Sequence, residues 1–356
     1  LAYLKLRDRD AIVTEENLIF RVIGYLHPSD AYVCDAEYAP SKIFKSENPK
    51  APRSKGRQIF YKFYEDEGWR FITNNFAKYT IFHEMLQTKV LGIRHKNIVA
   101  VRKPEEELKR IVETDPQDEL IVALQDVLKI IVEYSGLSRE DFGVFGSILH
   151  NFHHPKLSDL DFTVYGRQNM HKLGEALQEL YKNESSVLKN EFETDEVVRG
   201  KHWKFQNYSS QEYIWHQRRK LIYAHFDNVR SGRVIKTEFE PVKDWKEIES
   251  EYNTDTEIVQ RGWTKILARI IEDEEAPFIP SIYGIEPLKI MNGPKTAVEA
   301  KRIVSYMEEF RMQVQNGETV IVEGNLEEVK TPKGDYFQVT LTYCPRYYEQ
   351  VLKVAS

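Results

Sequence analysis

A chain of 356 residues, 41% hydrophobic and 30% charged, is long enough for two or three domains with their own cores, and its composition excludes wholesale disorder. Its net charge of −6 excludes a global basic field for nucleic acid, so any such binding would need local patches. Two distant cysteines, Cys34 and Cys344, give no disulfide framework and no cysteine-based zinc site, and no apolar run reaches the ~18 residues of a membrane-crossing helix; with no signal-peptide pattern, the expectation is a cytoplasmic protein off the membrane.

The first ~110 residues read as mainly β, in keeping with the abundance of Tyr and Phe. Asn17–Leu26 and Ala31–Tyr38 are β-type runs joined by the turn His27-Pro28-Ser29-Asp30. Gln58–Tyr64 and Trp69–Ile72 flank Glu65-Asp66-Glu67-Gly68, a hairpin pattern. The loop from Ala39 to Gly56 between these pairs carries Lys42, Lys45, Lys50, Arg53 and Lys55 against a single acid, Glu47. It reads either as a solvated surface loop or as a flexible basic arm for a phosphate backbone.

From Thr114 the pattern turns helical. Asp115 is placed to cap a helix with Pro116 in its first turn; Leu120, Leu124, Val127, Leu128 and Ile131 form its apolar stripe, and Gly136 ends it. A strand, Phe142–Phe145, then runs into Gly146-Ser147, and a second, Leu160–Tyr165, follows Asp159. A second amphipathic helix spans roughly Asn169 to Lys182, with Leu173, Ala176, Leu177 and Leu180 inward. Lys201-His202-Trp203-Lys204 and Arg218-Arg219-Lys220 are basic clusters interleaved with Tyr213 and Trp215. Val234–Val242 alternates like a strand, with Lys236, Glu238 and Glu240 on one face.

Past Asp244 we expect a helix with Trp245, a second helix from Trp263 to Ile271, and a rigid turn at Pro277, Pro280 and Gly284. The tail returns to β: Thr319–Val329 and Tyr336–Tyr343 alternate around Thr331-Pro332-Lys333-Gly334-Asp335, which suits a small barrel or sandwich. The expected domains are therefore 1–113, mainly β; 114–250, mixed; and 251–356, a helical linker with a small β domain.

The chemistry gathers between Phe145 and Phe162. An apolar strand ending in Gly146-Ser147 can turn tightly and present a hydroxyl and N–H groups to a phosphate. Asp159 and Asp161, one residue apart at a strand, point to one face, and such oxygen ligands suit a hard divalent cation. Two acids so close repel each other unless a cation is present. Glu238 is the favoured third acid, with Glu240 beside it as a further metal ligand and Asp227 as the outsider. His150, His153 and His154 match no usual zinc spacing; with Lys156 they are placed to help position phosphates. Lys201, Lys204, Arg218, Arg219 and Lys220 are candidates for phosphate or acceptor contact.

Gly-Ser followed by Asp-x-Asp at this spacing resembles the signature of the DNA polymerase β-like nucleotidyltransferase superfamily, and the chain looks like an archaeal-type member with extra domains on both sides. The resemblance implies an α+β fold, with a central nucleotidyltransferase domain of mixed sheet and helices flanked by mainly β N- and C-terminal domains. It further implies that Gly146 and Ser147 hold the phosphates of a nucleoside triphosphate such as ATP. Asp159, Asp161 and a third acid would bind Mg²⁺ or Mn²⁺, and a nucleoside monophosphate would pass to an acceptor hydroxyl with release of pyrophosphate. The acceptor class stays open among an RNA end, a small molecule and a protein. The alternative is a core that has lost transfer and serves as a nucleotide- or nucleic-acid-binding module.

Overall fold

The structure, a computed structural model, describes residues 5–193, 205–249, 252–343 and 345–355. They fall into two compact units, one of Leu1–His83, Thr88–Lys189 and Ala224–Tyr252, the other of Glu84–Gln87, Asn190–Tyr223 and Asn253–Ser356. The fold is α+β, with a central mixed domain and β-rich flanks. No described helix is long and apolar enough to cross a membrane.

The first unit opens with β1 (Ala11–Val13), β2 (Ile19–Val22), β3 (Ala31–Pro40), β4 (Pro52–Lys55) and β5 (Gln58–Lys62). After α1 (Glu67–Asn75) come β6 (Thr80–His83), β7 (Thr88–Arg94) and β8 (Ala100–Arg102). These strands make one sheet in the order β4-β5-β3-β2-β1-β8, with β7 on β3 and β6 on β7. Its core holds Ile12, Phe20, Val22, Ile72 and Ile93.

The same unit continues through α2 (Pro104–Val112), α3 (Glu119–Ser135), β9 (Phe142–Val144), the one-turn α4 (Gly146–Leu149), β10 (Leu160–Tyr165), α5 (Arg167–Lys182) and β11 (Leu188–Asn190). After α6 (Ser210–Arg219), which belongs to the second unit, β12 (Tyr223–Asn228) and β13 (Arg233–Val242) complete a sheet in the order β11-β12-β13-β10-β9. Along α5, Met170, Leu173, Ala176, Leu177 and Leu180 recur at helical spacing and are buried. Each such leucine stabilises the fold by about 1.5–3 kcal/mol.

The second unit is built on β14 (Glu257–Glu275), β15 (Ser281–Asn292), β16 (Ala300–Ser305), β17 (Thr319–Lys330), β18 (Tyr336–Leu341) and β19 (Val351–Val354). Strands β14-β15-β16-β18-β17 run in a ring that closes by β17 pairing back onto β14. The β16–β18 pair is parallel and the others are antiparallel, the arrangement of an OB-type barrel. The segment bearing α6 packs into this barrel. Phe205 and Tyr208 join its core, the Tyr208 hydroxyl donates to the Leu352 carbonyl at 2.5 Å, and Lys220 Nζ donates to the Glu309 carbonyl at 2.6 Å.

Several local expectations are corrected. Trp263–Ile271 is strand, because Thr264, Ile266, Ala268 and Ile270 are buried with a period of two against β15 and β17. Trp245 lies in a turn, not a helix. Trp69–Ile72 lies within α1, where Ile72 is buried and Glu67 accepts from the Tyr64 N–H and Ser46 hydroxyl, so the hairpin expected around Glu65–Gly68 does not form. Pro52–Lys55, expected within a loop, pairs with β5. The cap of α3 is Asp118 rather than Asp115, its Oδ1 accepting from the N–H groups of Leu120 and Ile121.

Candidate active site

The site begins with backbone geometry. Gly146 follows β9 with φ of +63°, a left-handed conformation that glycine adopts without strain. A β-carbon there would lie closer to Asp161 Oδ2 than van der Waals contact allows. Antiparallel pairing of β9 with β10, extended by the Phe145 N–H donating to the Asp161 carbonyl at 2.9 Å, holds the Gly146-Ser147 turn against Asp161. Ser147 is half-buried in the single turn of α4.

On the other side of β10, β13 runs parallel, and its register places Asp161 opposite Glu238 and Thr163 opposite Glu240. Paired residues of adjacent strands face the same way, about 4.8 Å apart along the hydrogen bonds. Asp159 is exposed just before β10, and Asp161 is half-buried. Burial first, then the negative charges of Glu238 and Asp159, push the Asp161 carboxyl up to about 8, while Lys236 and Lys62 act in the opposite direction. Asp161 therefore lies within electrostatic reach of both other acids.

Glu238 and Glu240 share a face but have different neighbours. Glu238 is half-buried and bonded to the Lys236 ammonium. Glu240 is buried and accepts from Arg9 at 2.7 Å. Asp227 lies on β12, one strand farther from Asp161 than Glu238, and is exposed.

Sequence patterning gave no sign of the charged run Arg7-Asp8-Arg9-Asp10, all four of which are buried. Arg7 bonds to Glu105 at 3.1 Å and lies 3.6 Å from the Tyr165 ring centre; Asp8 accepts from the Gly24 N–H at 2.7 Å. Arg9 approaches the Phe145 ring as well as Glu240. Through Tyr165 and Glu240, these residues join the N-terminal sheet to the same face of the second sheet that carries Asp161 and Glu238. Lys62 comes from that N-terminal sheet too, and no local signal marks it; Lys236 shows only as a cation beside Glu238 in the strand alternation.

The three histidines do not converge. His150 is buried, with Nδ1 2.8 Å from Arg102 and Nε2 3.3 Å from Glu37. His153 lies 2.9 Å from Asp118, whereas His154 is exposed and its Nδ1 accepts from the Lys156 N–H at 3.1 Å. Lys156 is exposed on the same loop. Arg218 donates to the Phe192 carbonyl, Arg219 pairs with Glu318, and Lys220 is buried, so this cluster braces the second unit. Lys201, His202, Trp203 and Lys204 lie outside the described residues.

A cation's fit can be tested on charge and on geometry. Asp161, Asp159 and Glu238 leave a demand for positive charge that Lys236 meets only in part. Among the described residues, no three His, Cys, Asp or Glu side chains are drawn together as a ready-made metal cage. The donor set is that of a hard divalent cation, and Glu238 would have to exchange Lys236 for it.

Residues 124–222 match the family described as nucleotidyltransferase domain. The central domain is a nucleotidyltransferase domain of the polymerase β-like superfamily. The match takes in Gly146, Ser147, Asp159 and Asp161 and stops short of β13, so Glu238 is placed by strand pairing alone. The chain is also similar to an uncharacterized protein of Methanocaldococcus jannaschii, 26% identical over 348 residues and covering 94% of each chain. No solved structure matches it significantly.

Proposed function

We propose that the nucleotidyltransferase domain is catalytically competent and transfers a nucleoside monophosphate from a nucleoside triphosphate, with Mg²⁺ or Mn²⁺, to an acceptor hydroxyl. The observation that carries this reading is the juxtaposition of Gly146, Asp161 and Glu238: a left-handed glycine turn packed against Asp161, which is itself in register with Glu238. Asp159, Asp161 and Glu238 would hold the cations. Those cations would neutralise triphosphate charge and lower the pKa of the acceptor hydroxyl. Ser147 would donate its hydroxyl to the triphosphate, and Lys62 and Lys236 would balance charge at the rim. The acceptor oxygen forms a bond to the α-phosphorus, the bond from that phosphorus to the bridging oxygen breaks, and pyrophosphate leaves as the hydroxyl proton is lost. The residues contribute chiefly positioning and fixed charge.

Glu240 is not assigned to the cations in this reading, because its carboxylate serves Arg9. An RNA acceptor would be held by the N-terminal basic stretch, in which Lys42, Lys45, Lys50 and Arg57 are exposed and Arg53 donates to the Lys50 and Pro52 carbonyls. Neutralising those three lysines and titrating single-stranded RNA at two salt concentrations tests that route; binding unchanged by the substitutions excludes it. The whole reading is tested by following label transfer and pyrophosphate release with each nucleoside triphosphate, in wild type and Asp161→Asn.

A further inference from the structure

A cleft of about 410 Å³ opens at the far end of α4, bordered by Leu149, His150 and Asn151. Its volume is that of a small-molecule site. Leu149, on this cleft's wall, follows Ser147 by two residues in the single turn of α4, about 3 Å along its axis. Arg102, Lys103 and Arg110 line it, with Glu106 and Glu107. Arg110 is already spent, bonded through two nitrogens to Glu107 at 3.0 and 2.5 Å.

Arg102 is different. It is half-buried, and among the described residues it bonds to His150 Nδ1 and forms no ion pair. Arginine can only donate, so His150 Nδ1 accepts and its Nε2–H faces Glu37: the ring is held as the neutral tautomer. The guanidinium therefore leans on a neutral partner. Burial pushes it below its usual range, with Glu107 and Glu37 opposing that shift by charge alone. A half-buried cation supported in this way gains most from an anion arriving from the cleft.

We propose that this cleft binds the phosphate group of a small phosphomonoester, held by Arg102 and Lys103, with the hydroxyl-bearing part of the ligand on Glu106 and Asn151. Two acids among the lining residues disfavour a polyanion such as an RNA backbone and suit a single phosphate on a polar body. Such a molecule would serve as the acceptor for the transfer proposed above, and in that role alone the inference rests on that reading.

The test is calorimetric titration of ribose 5-phosphate, inorganic phosphate and ribose into the full chain with EDTA present, so that no metal–nucleotide site contributes. Ribose 5-phosphate is expected to bind more tightly than inorganic phosphate, and ribose not at all. Arg102→Gln should weaken ribose 5-phosphate at least about tenfold, the loss of a charge-assisted contact, and Arg102→Lys should recover part of it. Asn151→Asp should also weaken it; Asn151 is exposed with φ of +56°, which Asp tolerates, so this variant folds. Asp161→Asn should bind as wild type does. Unchanged binding in both Arg102→Gln and Asn151→Asp, equal loss in Asp161→Asn, or no binding of any phosphate ligand would overturn the proposal. If metal-dependent ATP binding fails while this pattern holds, the transfer reading falls and the cleft assignment stands.

Discussion

Asp161 and Glu238 stand opposite each other on the parallel strands β10 and β13, with Gly146 packed against Asp161 from the other side. A single register thus gathers an acid from each strand and the tight turn at one spot. A shift of one residue in that pairing would turn Glu238 to the opposite face of the sheet.

Gly146→Ala is expected to damage the site more than Ser147→Ala does. The new methyl collides with Asp161 Oδ2 and sits on a backbone with positive φ. We expect a stability loss of about 1–3 kcal/mol in denaturant unfolding, and loss of nucleotide binding in calorimetry. Ser147→Ala removes one hydroxyl and should keep the wild-type stability to within about 1 kcal/mol.

Glu238→Gln and Glu240→Gln should separate function from stability. Glu238→Gln is expected to weaken metal–nucleotide binding by at least about tenfold at little cost in stability, as for an interaction with a charged group. Glu240→Gln removes the closer of the buried Arg9's counter-charges and leaves Asp8 at 3.6 Å, for which the cost is up to about 3–5 kcal/mol in chemical denaturation. If the two stability effects are equal, the division of roles is wrong.

The pH dependence of stability should report Asp10. Burial first, then the charge of Glu105, push its carboxyl up to about 8. The folded state thus keeps this proton between about pH 4 and 8 while the unfolded chain gives it up, so stability falls as pH rises through that window. Asp10→Asn should remove its own share of this slope, leaving that of Asp161, whose carboxyl is raised over the same window, and be the more stable protein at pH 9, by something on the order of 2 kcal/mol, in urea unfolding at pH 5 and pH 9. A slope unchanged by the substitution would mean that Asp10 is ionised throughout.

Much of the acid-bearing sheet was legible because its signals are local. Gly-Ser after an apolar strand, Asp-x-Asp before the next, and alternation in Val234–Val242 each occupy a few consecutive residues. Strand pairing is not local, so the sequence could not say that Glu238, rather than Glu240, faces Asp161. It could not say that Glu240 answers Arg9, 231 positions away. Arg7–Asp10 was silent for a related reason: four charges in a row suggest a solvated surface, and only partners such as Glu105, Gly24 and Glu240 allow them to be buried. In Trp263–Ile271, Leu267, Ala268 and Arg269 favour helix locally, yet pairing on both sides within the barrel holds the segment extended.

The most direct test of the central claim is calorimetric titration of ATP and the other nucleoside triphosphates into wild type, Asp159→Asn and Asp161→Asn, with Mg²⁺ or with EDTA. The account predicts that wild type binds at least one triphosphate only when Mg²⁺ is present, and that each substitution abolishes this binding while the protein stays folded. Metal–nucleotide binding by both variants at wild-type strength would contradict it.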